Sequence, residues 1–401
     1  MNHLPYVTRG AARLIFDTVR GVTNIVEQTQ ESIVGKVVPG ESSHSVGAMA
    51  SGIFAAPIYT AIRGISDALG VAVDESLGLW PSEAVGSNRQ VKAVAGLNGA
   101  FGDHLETSSN PLATQMGFMH NAVPVEVKAE LLARMLPQAS SDLVVMVHGL
   151  CMSEHCWQQD GAGLGDSLDR ELGLTPLYLR YNSGRHISTN GQELSLLLEH
   201  LCEAWPVAVN SITLIGHSMG GLVIRSACHY AQQDEHCWLS RLQRVVCLGT
   251  PHHGSPLEKA GYGLDVVLQN LPFAENLALT TRRSAGIKDL RHGNLLDEDW
   301  HGVDPDRQSV DRRIPVPLVP GVEYYFAAAT VGPHQRNIKS LLLGDLLVRL
   351  DSAVGEHPDD ARCIDIAPEN CRIFYRKHHI DLLGDQAVQT QIINWLSPKL
   401  H

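Results

Sequence analysis

Hydrophobic positions fall into two regimes along this chain. In residues 143–147 (Leu-Val-Val-Met-Val) every position is apolar, the pattern of a strand buried on both faces. Further strand-like segments follow at 176–181, 212–215, 244–250, 324–329 and 372–376. Helical segments lie between them, at 191–201 and after Met219, and a closing helix is expected over 385–396. This alternation from about Asp142 onward predicts an α/β fold, a mostly parallel sheet flanked by helices.

The N-terminal third reads differently. Ile15, Val19, Val22 and Val26 are spaced i, i+4, i+7, i+11, and Ile58, Ile62, Ile65 and Leu69 repeat that spacing. Each copy predicts an amphipathic helix with one apolar stripe. Residues 1–140 are therefore expected to form a helical extension, and residues 141–401 the main domain. The stripes suit packing on the core, a homodimer contact or a peripheral membrane contact. Mid-helix Gly21 and Gly64 and the few basic residues argue against strong membrane binding. Residues 255–320 far exceed an ordinary strand–helix connection and are expected to be a cap, with an amphipathic helix at 264–271 and a charged stretch at 282–313.

The most informative junction is I-T-L-I-G-H-S-M-G-G, residues 212–221. A buried strand runs into Gly216-His217-Ser218-Met219-Gly220 and then into a helix. This is G-x-S-x-G in the strand–turn–helix setting that forces a strained serine out above the sheet edge. A serine hydroxyl is a poor nucleophile without a base and an acid that orients the base. In the order serine, acid, histidine, both partners lie C-terminal to Ser218. His379 and His378 follow the last strand, with His357 as a further choice. Asp345 and Asp351 lie between the 324–329 strand and those histidines, and Asp345 follows Gly344 at a turn tip. The oxyanion needs two backbone N–H donors. Met219 follows the nucleophile, and Leu150 follows the first parallel strand in H-G-L-C. His148 reads as structural, its ring bonding to that loop.

Charge and composition narrow the classes. The net charge of −12 over 401 residues leaves no basic footprint for nucleic acid. The N-terminus has no apolar signal run, and residues 42–62, although uncharged, are too rich in Gly, Ala and Ser for a membrane span. A cytoplasmic location and free thiols are expected for the eight cysteines, although Cys363 and Cys371 bracket a loop that could pair after export. No metal or other cofactor is expected.

Three motifs, V-M-V-H-G-L, I-G-H-S-M-G-G and L-G-T-P-H-H-G-S, together with G-D-L-L-V…S-A and H-H-I-D, carry a resemblance. Over residues 140–401 the chain resembles the α/β-hydrolase superfamily, and within it bacterial lipases and carboxylesterases. The last two stretches are similar to that family's D-G-L-V and N-H-L-D loops. The resemblance implies the α/β-hydrolase fold, Asp345 as acid and His379 as base. Leu346 stands where the family has Gly, and His378 where it has Asn. Asp381 matches one ligand of a calcium site in some such lipases, but the remaining ligands are not recognisable. The activity expected is serine ester hydrolysis through an acyl-enzyme, on a small-molecule or lipid ester. The charged cap favours soluble or short-to-medium acyl esters. The same triad would serve a thioesterase or acyltransferase, and the N-terminal repeat leaves room for a non-catalytic scaffold.

Overall fold

The computed structural model describes residues 88–158, 163–255, 284–304, 311–334 and 344–398. The two stripe repeats, the uncharged segment 42–62 and the helix expected at 264–271 lie outside the described residues. Eight strands form one sheet: β1 (Gly117–His120), β2 (Val123–Val125), β3 (Asp142–Val147), β4 (Thr175–Arg180), β5 (Ser211–His217), β6 (Leu242–Leu248), β7 (Glu323–Thr330) and β8 (Cys371–Tyr375). Their order is β2-β1-β4-β3-β5-β6-β7-β8. From β4 to β8 every pairing is parallel, and β1 joins β4 antiparallel.

The helices are α1 (Asn88–Thr107), α2 (Ala129–Met135), α3 (Leu164–Leu172), α4 (Ile187–Ala204), α5 (Met219–Gln233), α6 (Ala285–His292), α7 (Asp297–Trp300), α8 (Leu350–Ala353), α9 (Asp381–Gly384) and α10 (Gln386–Leu396). They cover both faces of the sheet, which is why residues 143–147 of β3 are apolar at every position. Leu143, Val145 and Val147 pack with Leu194, Leu198, Leu222 and Val223 of α4 and α5. Val144 and Met146 point the other way, into a cluster with Leu164 and Leu168 of α3 and Val388 and Ile392 of α10. Each such fully buried side chain contributes about 1.5–3 kcal/mol. No described helix is long and apolar enough to cross a membrane.

The hairpin β1–β2 falls inside the stretch that the sequence reads as helical. Its strands are four and three residues long, too short for a period to show. Its turn, Asn121-Ala122, has both residues at positive φ (50° and 61°), the geometry of a tight hairpin turn but without the glycine that announces one. Strand pairing with β4, from Gly117↔Arg180 to Met119↔Tyr178, makes this segment part of the main sheet.

Candidate active site

The parallel strands end on one edge, and five loops meet there. At the centre, β5 passes into α5 through Ser218, whose backbone sits at φ 54°, ψ −123°. Few non-glycine residues hold such a conformation, and the surroundings must impose it. Ser218 N–H donates to Leu248 O at 2.8 Å, tying the turn to the end of β6. A Cβ on Gly216 would lie 2.6 Å from Gly221 Cα, and one on Gly220 would lie 2.7 Å from His148 O. Both glycines are therefore fixed by backbone crowding across the elbow. Ser218 is 8% exposed.

Asp345 lies on the turn between β7 and α8, buried to 1% exposure. Its Oδ1 accepts the N–H groups of Leu347 (3.0 Å) and Val348 (2.7 Å), which leaves Oδ2 free to face inward. Leu346 takes φ 81°. The turn thus needs a left-handed residue, a conformation that glycine holds without strain, and this chain fills the position with leucine at a cost in strain. Asp351, the other candidate acid, turns to the surface and pairs with Arg349 at 2.8 Å.

His379 follows β8 and is also buried. Its Nδ1 is 2.7 Å from Asp345 Oδ2, while its Nε2 has no hydrogen-bond partner. Gly249, at φ 59°, makes room for the ring, because a Cβ there would meet His379 Cε1 at 2.9 Å. His378 does not join this group; its backbone N–H donates to Asp381 Oδ2 at 2.7 Å, and Asp381 N–H returns a bond to His378 O at 3.1 Å. Asp381 therefore closes the histidine loop on itself. Among the described residues no group of three or more His, Cys, Asp or Glu could hold a metal ion. His357 lies elsewhere, beside Asp311.

One cavity joins these parts. Ser218, His379 and Leu150 line it, with Met152, Leu290 and Leu347 among its apolar walls. Met219 is the first residue of α5, so its N–H belongs to the set that a helix start leaves without an intrahelical acceptor. Gly149 lets the Leu150 loop approach the elbow, since a Cβ there would stand 3.1 Å from Ser218 Cβ. His148 is held by the loop as expected: its Nδ1 is 2.8 Å from Gly149 O and its ring stacks on Tyr181 at 4.3 Å. Burial pushes the neighbouring Cys151 thiol up to about 12, so it stays protonated at neutral pH.

Two residues matter here that motif reading did not single out. His217, inside the elbow, stands with its ring centroid 4.7 Å from that of His379, and its Nε2–H donates to His379 O at 3.2 Å. His252, in the P-H-H-G loop, stacks on Phe326, and its Nδ1 lies 3.3 Å from Nη1 of the buried Arg225. A histidine count of 20 hid both. Only their location, within or just after a strand end, could have marked them.

Burial holds the His148 ring at about 4 and keeps His217 and His252 well below the usual histidine range. These rings are neutral in the fold and charge only on unfolding. Below pH 6.5 the unfolded chain therefore binds more protons, and stability falls as pH falls, by up to about 1.4 kcal/mol per ring per pH unit, until the folded values are reached. Thermal melts should show Tm declining steadily from pH 6.5 towards 4. A flat Tm between pH 7 and 5 would contradict this.

A helix-flanked parallel sheet, a serine elbow after β5, and acid- and histidine-bearing loops after β7 and β8 define an α/β-hydrolase fold. Within it, residues 138–304 match the PGAP1-like alpha/beta domain family. Solved structures similar to the chain include a lipase from Bacillus licheniformis in its mature form, at 16% identity and a TM-score of 0.42, covering 64% of this chain and 91% of that one. EstA from Clostridium botulinum is 14% identical with a TM-score of 0.40, over 64% of this chain and 86% of its own. An esterase from Pyrococcus furiosus is 13% identical with a TM-score of 0.35, over 64% and 82%. No curated protein sequence matches the chain.

Proposed function

We propose that the protein is a serine ester hydrolase that works through an acyl-enzyme, with Ser218, His379 and Asp345 as its triad. The observation that carries this reading is the pairing of His379 Nδ1 with Asp345 at 2.7 Å while His379 Nε2 stays unpartnered beside the cavity that Ser218 lines. Asp345 holds the ring in the tautomer with its proton on Nδ1, so Nε2 is the basic nitrogen. Ser218 Oγ attacks the ester carbonyl carbon as Nε2 takes the hydroxyl proton. The carbonyl oxygen becomes an oxyanion and accepts the N–H groups of Met219 and Leu150. The C–O bond to the alcohol then breaks, and the imidazolium gives its proton to the leaving oxygen. Water repeats the sequence on the acyl-enzyme and releases the acid.

The cavity walls at Leu150, Met152, Pro251, Leu290 and Leu347 are apolar and suit a hydrocarbon acyl group. The test is to treat the full chain with a fluorophosphonate, locate the adduct by peptide mass spectrometry, and follow hydrolysis of p-nitrophenyl butyrate. An adduct on Ser218 together with turnover is expected. The absence of both an adduct and turnover would overturn the proposal. Running acyl-CoA beside the ester shows whether an alcohol or a thiol is the better leaving group.

A further inference from the structure

The helix that precedes the sheet touches the loop expected to hold the oxyanion. α1 carries the L-N-G-A-F-G-D-H-L stretch, and its helix is interrupted at Phe101 (φ −135°, ψ 16°), between Gly99 and Gly102. A Cβ on Gly99 would lie 2.8 Å from both the Cα and the N of Cys151, and against its Sγ as well. The contact therefore takes in both the thiol and the backbone of Cys151, and turning the thiol away would not relieve it. Cys151 is the residue directly after Leu150, and Leu150 and Met152 on either side of it both line the cavity.

Cys151 itself is held in the left-handed region, at φ 59°. Its N–H donates to Ser183 Oγ at 3.0 Å, and its Sγ lies 3.8 Å from Gly96 O on α1. Without outside support, a non-glycine residue would leave that conformation. α1 is fastened in turn: Asn182 Nδ2 donates to Gly102 O at 2.9 Å, and Ser284 Oγ to Gly99 O at 2.6 Å. Asp103 Oδ2 accepts Ala285 N–H at 3.1 Å, which ties the helix to the start of α6, whose Leu290 is another cavity wall.

We propose that α1 is a positioning element of the active site: the Gly99 face of the helix sets Cys151, and through it aims the Leu150 N–H at the oxyanion. The inference rests on the ester-hydrolase reading above. It makes residues 88–107 part of the catalytic apparatus although none of them touches substrate. A donor displaced by a fraction of an ångström loses much of its effect on a developing charge, and misplacement of about 1 Å costs on the order of a hundredfold in rate.

Two buried substitutions supply the test. Gly99→Ala presses on Cys151. Leu168→Ala empties a core position on α3, on the other face of the sheet and away from the cavity. In the full chain, with active sites counted by fluorophosphonate titration, Gly99→Ala should lose roughly ten- to a hundredfold in kcat with KM unchanged. Leu168→Ala should stay within about threefold of wild type in kcat although it lowers Tm at least as much. If Gly99→Ala does not fold, Cys151→Ala reads the same contact from the loop side and should also lower kcat at constant KM. Equal kcat losses in Gly99→Ala and Leu168→Ala, or wild-type kcat in Gly99→Ala or Cys151→Ala, would overturn the inference and leave the ester-hydrolase reading standing. Wild-type protein without turnover or a Ser218 adduct would overturn both.

Discussion

Ser218→Ala should lower kcat for p-nitrophenyl ester hydrolysis by roughly a millionfold, close to complete loss, with KM and Tm little changed. The size follows from what the hydroxyl does alone. Without Oγ no acyl-enzyme forms, and the residual rate is what binding and the oxyanion donors give to attack by water. The stability expectation follows from the backbone. Alanine at φ 54° is about as strained as serine, the elbow glycines are untouched, and Ser218 N–H still reaches Leu248 O. Loss of activity with Tm preserved separates a nucleophile from a structural serine. A variant that keeps even a tenth of wild-type turnover would remove Ser218 from the mechanism.

Asp345→Asn should be the next most damaging change, on the order of ten-thousandfold in kcat, the typical cost of giving a triad histidine the wrong tautomer. The geometry says why the fold should tolerate it. The amide oxygen can keep accepting from Leu347 and Val348, which forces the NH2 group towards His379 Nδ1. Nδ1 must then accept, the proton moves to Nε2, and the base is lost. Asp351→Asn is the matching control. That carboxylate faces Arg349 near the surface, so kcat should stay within about twofold and Tm should move little. A larger loss in Asp351→Asn than in Asp345→Asn would reverse the assignment.

The central strands and the elbow were legible because burial on both faces and backbone crowding leave few alternatives in residue type. Ser218 was legible as a candidate from the elbow itself; for its partners the alternation of elements left Asp345 or Asp351 and His378 or His379, and the structure brings Asp345 and His379 together. Leu346 was less legible, because a leucine occupies a left-handed position that favours glycine. The β1–β2 hairpin was not legible, as three- and four-residue strands carry no period and Asn-Ala gives no turn signal. The role of α1 was hidden too. Its glycines look like helix-weakening residues until the loop they touch is known, and that contact joins residues about fifty positions apart.

The histidine loop follows β8, which occupies the edge of the sheet opposite the β1–β2 hairpin and is the last strand in the chain. Synthesis therefore delivers the serine elbow before its proposed base. A ribosome-bound chain that has already folded β3 to β6 carries Ser218 but neither Asp345 nor His379. On the triad proposed above, hydrolytic competence should thus switch on only after β8 has joined β7 and its loop has reached Asp345.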